Sequence, residues 1–115
     1  MVKILLADDE EAITSELGPF LERSGFQVAI ARDGDDALRK VESFRPDLLV
    51  LDILMPGSNG REVCRRLRAS GNWTPVIMLT QIGTSGERAL SLEKGAPQGQ
   101  VSRGVYRAVT SSRHG

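Results

Sequence analysis

Short apolar runs, each followed by an amphipathic segment, recur four times in residues 1–95, and this rhythm constrains the fold more than any other feature. The predicted strands cover residues 2–7, 27–31, 48–51 and 76–79, and residues 48–51 are apolar without interruption. A continuous apolar run is typical of a strand that is covered on both faces of a parallel sheet. Strands that alternate with helices in this way predict a doubly wound parallel α/β sheet with right-handed crossovers.

Local signals place a helix after each predicted strand. Apolar residues recur at helical spacing after the acids at positions 8–11, and Asp33 is suited to cap the second helix. Residues 61–68 have the pattern of a third helix. Thr84 and Glu87 have the spacing of a capping box and predict a fourth helix that ends at Gly95.

The composition of the 115 residues excludes several classes of protein. Basic and acidic residues each number 15, so the chain lacks the basic excess of a free-standing nucleic-acid binder. One cysteine excludes a disulfide framework and a cysteine-rich zinc site. No apolar run approaches the roughly 18 residues of a membrane span. We therefore expect a soluble cytoplasmic domain that binds no membrane.

The charge is distributed unevenly along the chain. Residues 1–95 carry a formal charge of minus three, whereas residues 96–115 carry three arginines and no acid. The last part of the chain is also rich in glycine and serine, which disfavour a packed core. We expect a domain core over residues 1–96 and an irregular or partly disordered tail over residues 97–115.

Polar side chains stand at the carboxyl ends of three predicted strands. The first strand is followed by Asp8 and Asp9, the third by Asp52, and the fourth ends at Thr80. In open α/β sheets ligands bind beyond these carboxyl ends, so adjacent strands would bring three carboxylates and a hydroxyl into one crevice. Each residue alone also fits an ordinary cap, turn or strand-end role. Their order on alternating strands and helices favours a site.

Carboxylates that share one crevice repel each other unless a cation balances them. Oxygen ligands with open positions suit Mg²⁺. A carboxylate beside Mg²⁺ can attack a phosphoryl group and become an aspartyl phosphate, and the Thr80 hydroxyl could donate to a phosphoryl oxygen. The pattern therefore indicates phosphoryl chemistry with magnesium as the cofactor.

Several segments together carry a family resemblance. They are residues 2–10 (VKILLADDE), 46–52 (PDLLVLD), 55–57 (MPG), 59–60 (NG) and 75–80 (PVIMLT). With these motifs the chain resembles the receiver domain of bacterial two-component response regulators over residues 2–96. The resemblance implies a flavodoxin-like sheet with strand order 2-1-3-4-5, in which the first, third and fourth strands are adjacent.

The resemblance also implies a role for each site residue. Asp52 would accept a phosphoryl group from a histidine kinase or a phosphotransfer protein. Asp9, Asp52 and the backbone carbonyl of Leu54 would hold Mg²⁺, with Asp8 acting through water. Thr80 would be the switch residue. Such a domain is a signalling module and not an enzyme, beyond self-catalysed phosphorylation and slow dephosphorylation.

After Gly95-Ala96 the sequence departs from the family pattern. The family has an aromatic residue and a Lys-Pro pair in this region, whereas Gly99 stands at the aromatic position and Ser102 at the lysine position. Ser102 cannot supply the positive charge that a lysine would bring to the phosphoryl group. We therefore expect the fifth strand and fifth helix to be degraded or missing. A shifted reading frame, an added end and a divergent natural tail would each produce such a sequence.

Two functions remain open at this point. The first is a receiver domain in two-component signal transduction that is phosphorylated on Asp52 and then changes its protein–protein contacts. The second is a non-phosphorylated pseudo-receiver, or a defective truncated receiver, that acts as a binding module only. Neither function requires this domain to bind nucleic acid directly, and both are compatible with a homodimer.

Overall fold

The computed structural model describes residues 1–53, 55, 57–82 and 87–92 of the chain. Within these residues the elements are, in chain order, β1 (Lys3–Ala7), α1 (Glu11–Arg23), β2 (Gln27–Ala31), α2 (Gly34–Phe44), β3 (Leu48–Asp52), α3 (Gly60–Ala69), β4 (Val76–Ile82) and β5 (Glu87–Leu92). Among the helices of this part of the chain, none has the length and hydropathy of a membrane span.

The strands form one sheet in the order β2-β1-β3-β4-β5. β1 pairs in parallel with both β2 and β3, and β3 pairs in parallel with β4. The parallel order 2-1-3-4, with α1, α2 and α3 as the connections, confirms the predicted flavodoxin-like fold. This order places the carboxyl ends of β1, β3 and β4 side by side.

The central strands bury side chains on both faces of the sheet. Leu5 and Leu49 pack with α2 and α3 on one face, and Leu6 and Val50 pack with α1 on the other. All four side chains are 0% exposed. Because successive strand residues point to opposite faces, only a continuous apolar run can fill both cores, as the sequence predicted.

Both ends of α2 follow from local chemistry. The Asp33 carboxylate accepts a hydrogen bond from the backbone nitrogen of Asp36 at 2.7 Å, which confirms the predicted cap. At the other end Arg45 has a φ of 53° and precedes Pro46, which cannot continue the helix. The helix therefore runs from the carboxyl edge of the sheet to the amino edge.

The predicted fourth helix is wrong over residues 87–92. These residues form β5, which is antiparallel to β4 and lies in a register that sets Ile77 opposite Leu92. Leu90 and Leu92 are spaced by two, so this short segment also has the period of a strand. The edge of β4 offers backbone groups that need hydrogen-bond partners, and pairing with that edge outweighed the capping-box signal.

β4 also differs from its predicted length. The strand continues to Ile82, so Thr80 lies inside β4 and not at its end. The expected degradation of the family's fifth strand and fifth helix concerns residues 97–115, which lie outside the described residues. The boundary between a core over residues 1–96 and a tail stays a prediction.

Candidate functional site

The carboxyl ends of β1 and β3 bring two aspartates to one edge of the sheet. The strands are parallel neighbours with Ala7 opposite Leu51, so the residues that follow, Asp8 and Asp52, lie at the same level. Asp8 is 1% exposed and Asp52 is 2% exposed. Burial of two carboxylates is costly without compensating hydrogen bonds or positive charge. Two buried carboxylates at the carboxyl edge of an α/β sheet are typical of a functional site.

The backbone holds Asp8 where β1 passes into α1. Its nitrogen donates to the carbonyl oxygen of Ala31 at 3.1 Å, which continues the pairing of β1 with β2. Its Oδ1 atom accepts a hydrogen bond from the nitrogen of Glu10 at 2.8 Å. Glu10 is the N-cap residue of α1, and the amino end of a helix favours negative charge. These contacts fix the Asp8 carboxylate at the carboxyl edge.

Asp9 completes an acidic cluster with these two residues. One carboxylate oxygen from each of Asp8, Asp9 and Asp52 lies within 4.8 Å of the other two. Asp9 is exposed, whereas Asp8 and Asp52 are buried, so the cluster is accessible from the Asp9 side. The structure thus brings together the three acidic residues that the sequence predicted as a site.

The donor set of this cluster fits Mg²⁺. All the ligand atoms that the cluster offers are carboxylate oxygens, the hard donors that Mg²⁺ prefers. Mg²⁺ keeps several waters and commonly binds through one or two carboxylates together with substrate phosphates. A cluster with one exposed member leaves room for those additional ligands. A divalent cation here would also offset the repulsion between the three carboxylates.

Gly60 allows α3 to begin directly behind Asp52. Its nitrogen donates to the carbonyl oxygen of Ile53 at 3.0 Å. A Cβ atom on Gly60 would lie 2.4 Å from the carbonyl oxygen of Asp52, and real Cβ contacts essentially never fall under 3.0 Å. Any side chain at this position would therefore displace the backbone of Asp52. The sequence pattern predicted no role for Gly60 in the site, although the Asn-Gly pair that opens α3 is typical of a close turn.

The other predicted site residues are placed only in part. Thr80 follows Leu79, which lies opposite Asp52 in the pairing of β3 with β4, so the backbone of Thr80 lies at the same edge. The structure does not describe the Thr80 side chain, and both Leu54 and Ser102 lie outside the described residues. The switch role, the carbonyl ligand and the lysine position stay predictions.

Comparison with known proteins defines the class. Residues 4–99 match the family model of the response regulator receiver domain. The chain belongs to this family, whose members are the receiver domains of two-component response regulators.

Two curated relatives are response regulators. The chain is 47% identical over 94 residues to the alkaline phosphatase synthesis transcriptional regulatory protein PhoP of Bacillus subtilis, a match that covers 82% of this chain and 39% of PhoP. It is 43% identical over 95 residues to the response regulator MprA of Mycobacterium tuberculosis, covering 83% of this chain and 41% of MprA. The chain thus spans about two-fifths of the length of these relatives.

Solved receiver structures have the same fold. The response regulator TrrA of Thermotoga maritima, solved in complex with Mg²⁺-BeF, is 37% identical with a TM-score of 0.67, over 72% of each chain. The chemotaxis protein CheY4 of Vibrio cholerae is 32% identical with a TM-score of 0.68, over 74% of this chain and 72% of CheY4.

Proposed function

We propose that this domain accepts a phosphoryl group on Asp52 from a phosphohistidine of a histidine kinase or phosphotransfer protein. The observation that carries this proposal is the buried Asp52 carboxylate, 2% exposed, within 4.8 Å of carboxylate oxygens of Asp8 and Asp9. Membership of the receiver family supports the same reaction. The Mg²⁺-BeF complex of the relative TrrA supports the choice of cofactor.

In this reaction Asp52 is the nucleophile. One of its carboxylate oxygens attacks the phosphorus atom, and the bond between phosphorus and the donor imidazole nitrogen breaks. The electron pair of that bond returns to the imidazole, which leaves neutral after taking up a proton. The product is an acyl phosphate on Asp52, formed without a change in oxidation state.

The acidic cluster provides the cofactor site for this step. Asp9, Asp52 and the backbone carbonyl of Leu54 would hold Mg²⁺, and Asp8 would act through a bound water molecule. When bound, Mg²⁺ neutralises negative charge on the transferring phosphoryl group. Asp8, held by the nitrogen of Glu10, keeps its carboxylate directed toward the cluster.

Thr80 would convert phosphorylation into a change at the surface. Its hydroxyl would donate a hydrogen bond to a phosphoryl oxygen, and the pairing of Asp52 with Leu79, the residue before Thr80, supports this role. The outcome would be altered protein–protein contacts, including those of a homodimer if one forms. We assign the domain to the cytoplasm, where it would meet its phosphodonor protein.

Intact mass after incubation with a small phosphodonor and Mg²⁺ tests the proposal. We expect the chain to gain one phosphate, and Asp52→Asn to gain none. Asp47→Asn is the matched control, because Asp47 enters the same strand at the amino edge and accepts a hydrogen bond from the Lys3 nitrogen at 2.8 Å. A chain that gains no phosphate with Mg²⁺ present, or an Asp52→Asn variant that still gains one, would contradict it.

A second candidate function is that of a binding module that is not phosphorylated. Ser102 at the lysine position favours it, because a serine supplies no positive charge to a phosphoryl group. The same mass measurement separates the two candidates. Restoring the charge with Ser102→Lys would raise phosphate occupancy if the first function holds, and would change nothing if the second does.

A further inference from the structure

The start of α2 packs against the loop that follows Asp52. This loop, residues 53–59, joins β3 to α3, and the structure describes residues 53, 55 and 57–59 of it. Two described residues of the loop, Gly57 and Ser58, lie against Gly34 and Asp35 at the first turn of α2. The position of α2 therefore limits where Gly57 and Ser58 can lie.

Gly34 approaches the loop more closely than a side chain would permit. A Cβ atom on Gly34 would lie 1.9 Å from the carbonyl oxygen of Ser58 and 2.7 Å from its carbonyl carbon. Since real Cβ contacts essentially never fall under 3.0 Å, a side chain here would require a backbone displacement of about 1 Å. Glycine is therefore required at position 34 because a side chain does not fit between α2 and Ser58.

Asp35 adds a polar contact to the same part of the loop. Its Oδ1 atom accepts a hydrogen bond from the Ser58 hydroxyl at 3.5 Å. Its Oδ2 atom would lie 3.5 Å from a Cβ atom on Gly57. Gly57 has a φ of 72°, in the left-handed region that favours glycine, so Asp35 lies beside a residue that has little conformational alternative. Together, Gly34 and Asp35 contact the loop through both backbone and side-chain atoms.

The opposite end of the loop is also fixed. The Gly60 nitrogen donates to the Ile53 carbonyl oxygen at 3.0 Å, and the space behind Asp52 is too small for a Cβ atom on Gly60. Residues 57–59 are thus confined between the starts of α2 and α3. A displacement at Ser58 would pass through Asn59 to Gly60 and from there to the backbone of Asp52.

We infer that Gly34 is a positioning residue for phosphoryl acceptance. Its missing side chain lets α2 lie against Ser58 without displacing Gly60 and the backbone of Asp52, whose carboxylate would hold Mg²⁺. The inference rests on the proposed function. A residue that supports a metal ligand commonly changes affinity by about 10- to 100-fold when altered, and a misplacement of about 1 Å can lower a rate by about 100-fold.

The test compares the full chain with its Gly34→Ala variant. We expect Mg²⁺ binding, measured by calorimetry with Mg²⁺ alone, to weaken by about 10-fold or more. The Mg²⁺ concentration that half-saturates phosphorylation by a small phosphodonor should rise by the same factor, a shift that a loss of stability alone does not produce. Gly71→Ala is the matched control, because Gly71 has a φ of 84°, lies at the end of α3 and has open space around it.

Four results are decisive. Gly34→Ala with wild-type Mg²⁺ affinity but reduced stability would overturn the inference, because α2 would then have moved and the loop would not. Gly71→Ala with an equal loss of Mg²⁺ affinity would also overturn it. A wild-type chain that binds no Mg²⁺ would overturn the proposed function and this inference together, whereas a phosphorylated wild type beside an unaffected Gly34→Ala rejects this inference alone.

A second pair of variants applies if Gly34→Ala does not fold. Asp35→Asn weakens the contact with Ser58 by removing the negative charge of the acceptor without adding a heavy atom, and we expect Mg²⁺ affinity to fall by about two- to tenfold. Asp36→Asn is its control, because Asp36 forms ion pairs with Arg39 and Lys40 on α2 itself. Equal Mg²⁺ affinities in these two variants would reject the inference.

Discussion

The two edges of the sheet use glycine for different physical reasons. At the amino edge, Gly25 and Gly71 have φ angles of 100° and 84°, and a Cβ atom on either would meet nothing within 4 Å. At the carboxyl edge, a Cβ atom on Gly34 or Gly60 would meet a backbone oxygen at 1.9 Å or 2.4 Å. The first pair serves the conformation of a turn, and the second pair serves close packing around Asp52.

The two edges of the sheet also differ in how their charged side chains are arranged. At the amino edge the Arg68 guanidinium donates to the carbonyl oxygens of Asn72 and Thr74 at 3.1 Å and 2.9 Å. Its Cζ atom also lies 5.4 Å from the centroid of the Trp73 ring. At the carboxyl edge three side chains of like charge meet. Favourable contacts at the amino edge contribute to stability, whereas a group of like charges at the carboxyl edge is typical of a functional site.

Gly60→Ala should have the largest effect and should reduce both stability and function. The added Cβ atom would press on the carbonyl oxygen of Asp52, and overpacking of this kind costs about 3 kcal/mol. Urea unfolding measures this loss, and intact mass of the folded protein measures phosphorylation, which should slow by about 100-fold. A variant that is phosphorylated at the wild-type rate would remove the distinction between the two edges.

Gly25→Ala should reduce stability alone. A non-glycine residue in the left-handed region costs about 1–2 kcal/mol, and Gly25 precedes β2 at the amino edge, whereas Asp52 ends β3 at the carboxyl edge. The urea midpoint should fall with an unchanged slope. Phosphate uptake per folded molecule should equal that of the wild type, and a reduced uptake would contradict the assignment of this edge to stability.

Arg45→Gly should increase stability. Arg45 has a φ of 53°, and a glycine would remove that strain while adding chain entropy to the unfolded state, for a net gain of about 0.5–1 kcal/mol. Arg45→Ala is the control, since alanine keeps the strained conformation and should give no gain. If Arg45→Gly and Arg45→Ala have the same unfolding free energy, the backbone conformation of residue 45 is not the source of any gain in stability.

Asp36→Asn should have the smallest effect, and that effect should depend on pH. Burial raises the pKa of Asp36, but the hydrogen bond and charge of Lys40, with those of Arg39, outweigh burial and hold the pKa below its usual 3.8. A lowered folded-state pKa contributes stability above pH 3.8 that is lost as the pH falls through the folded-state value. The variant should lose about 0.5 kcal/mol near neutral pH.

The measurement is the difference in unfolding free energy between the wild type and Asp36→Asn near neutral pH and in acid. The difference should shrink in acid, where the wild-type carboxyl group is protonated. A difference that stays constant would show that the ion pairs with Arg39 and Lys40 are not its source. We expect the Mg²⁺ affinity of Asp36→Asn to equal that of the wild type. Asp36 would then contribute to stability alone, unlike its neighbour Asp35, which contacts the loop.

β3 shows how much the sequence predicted. The apolar run of residues 48–51 followed by Asp52 indicated a strand buried on both faces with an acid at its carboxyl end, and the structure has both features. The same signals predicted the acidic cluster, because parallel neighbouring strands end at one edge. In each case the information lies in residue types at short spacing.

β5 and the contact between Gly34 and Ser58 show what the sequence could not predict. Residues 87–92 have the periods of both a helix and a strand, and the backbone edge of β4 decided between them. The space that excludes a side chain at Gly34 exists only because a loop from another part of the chain lies against α2.

The sequence by itself determined the alternating elements of the first four strands, their burial and the acids at the strand ends, because these depend on local periodicity and on the chemistry of neighbouring residues. Only the tertiary structure decided the pairing of β5 and the need for glycine at Gly34 and Gly60. Those features depend on hydrogen-bond partners and free space that distant segments supply, and no local pattern of residues records them.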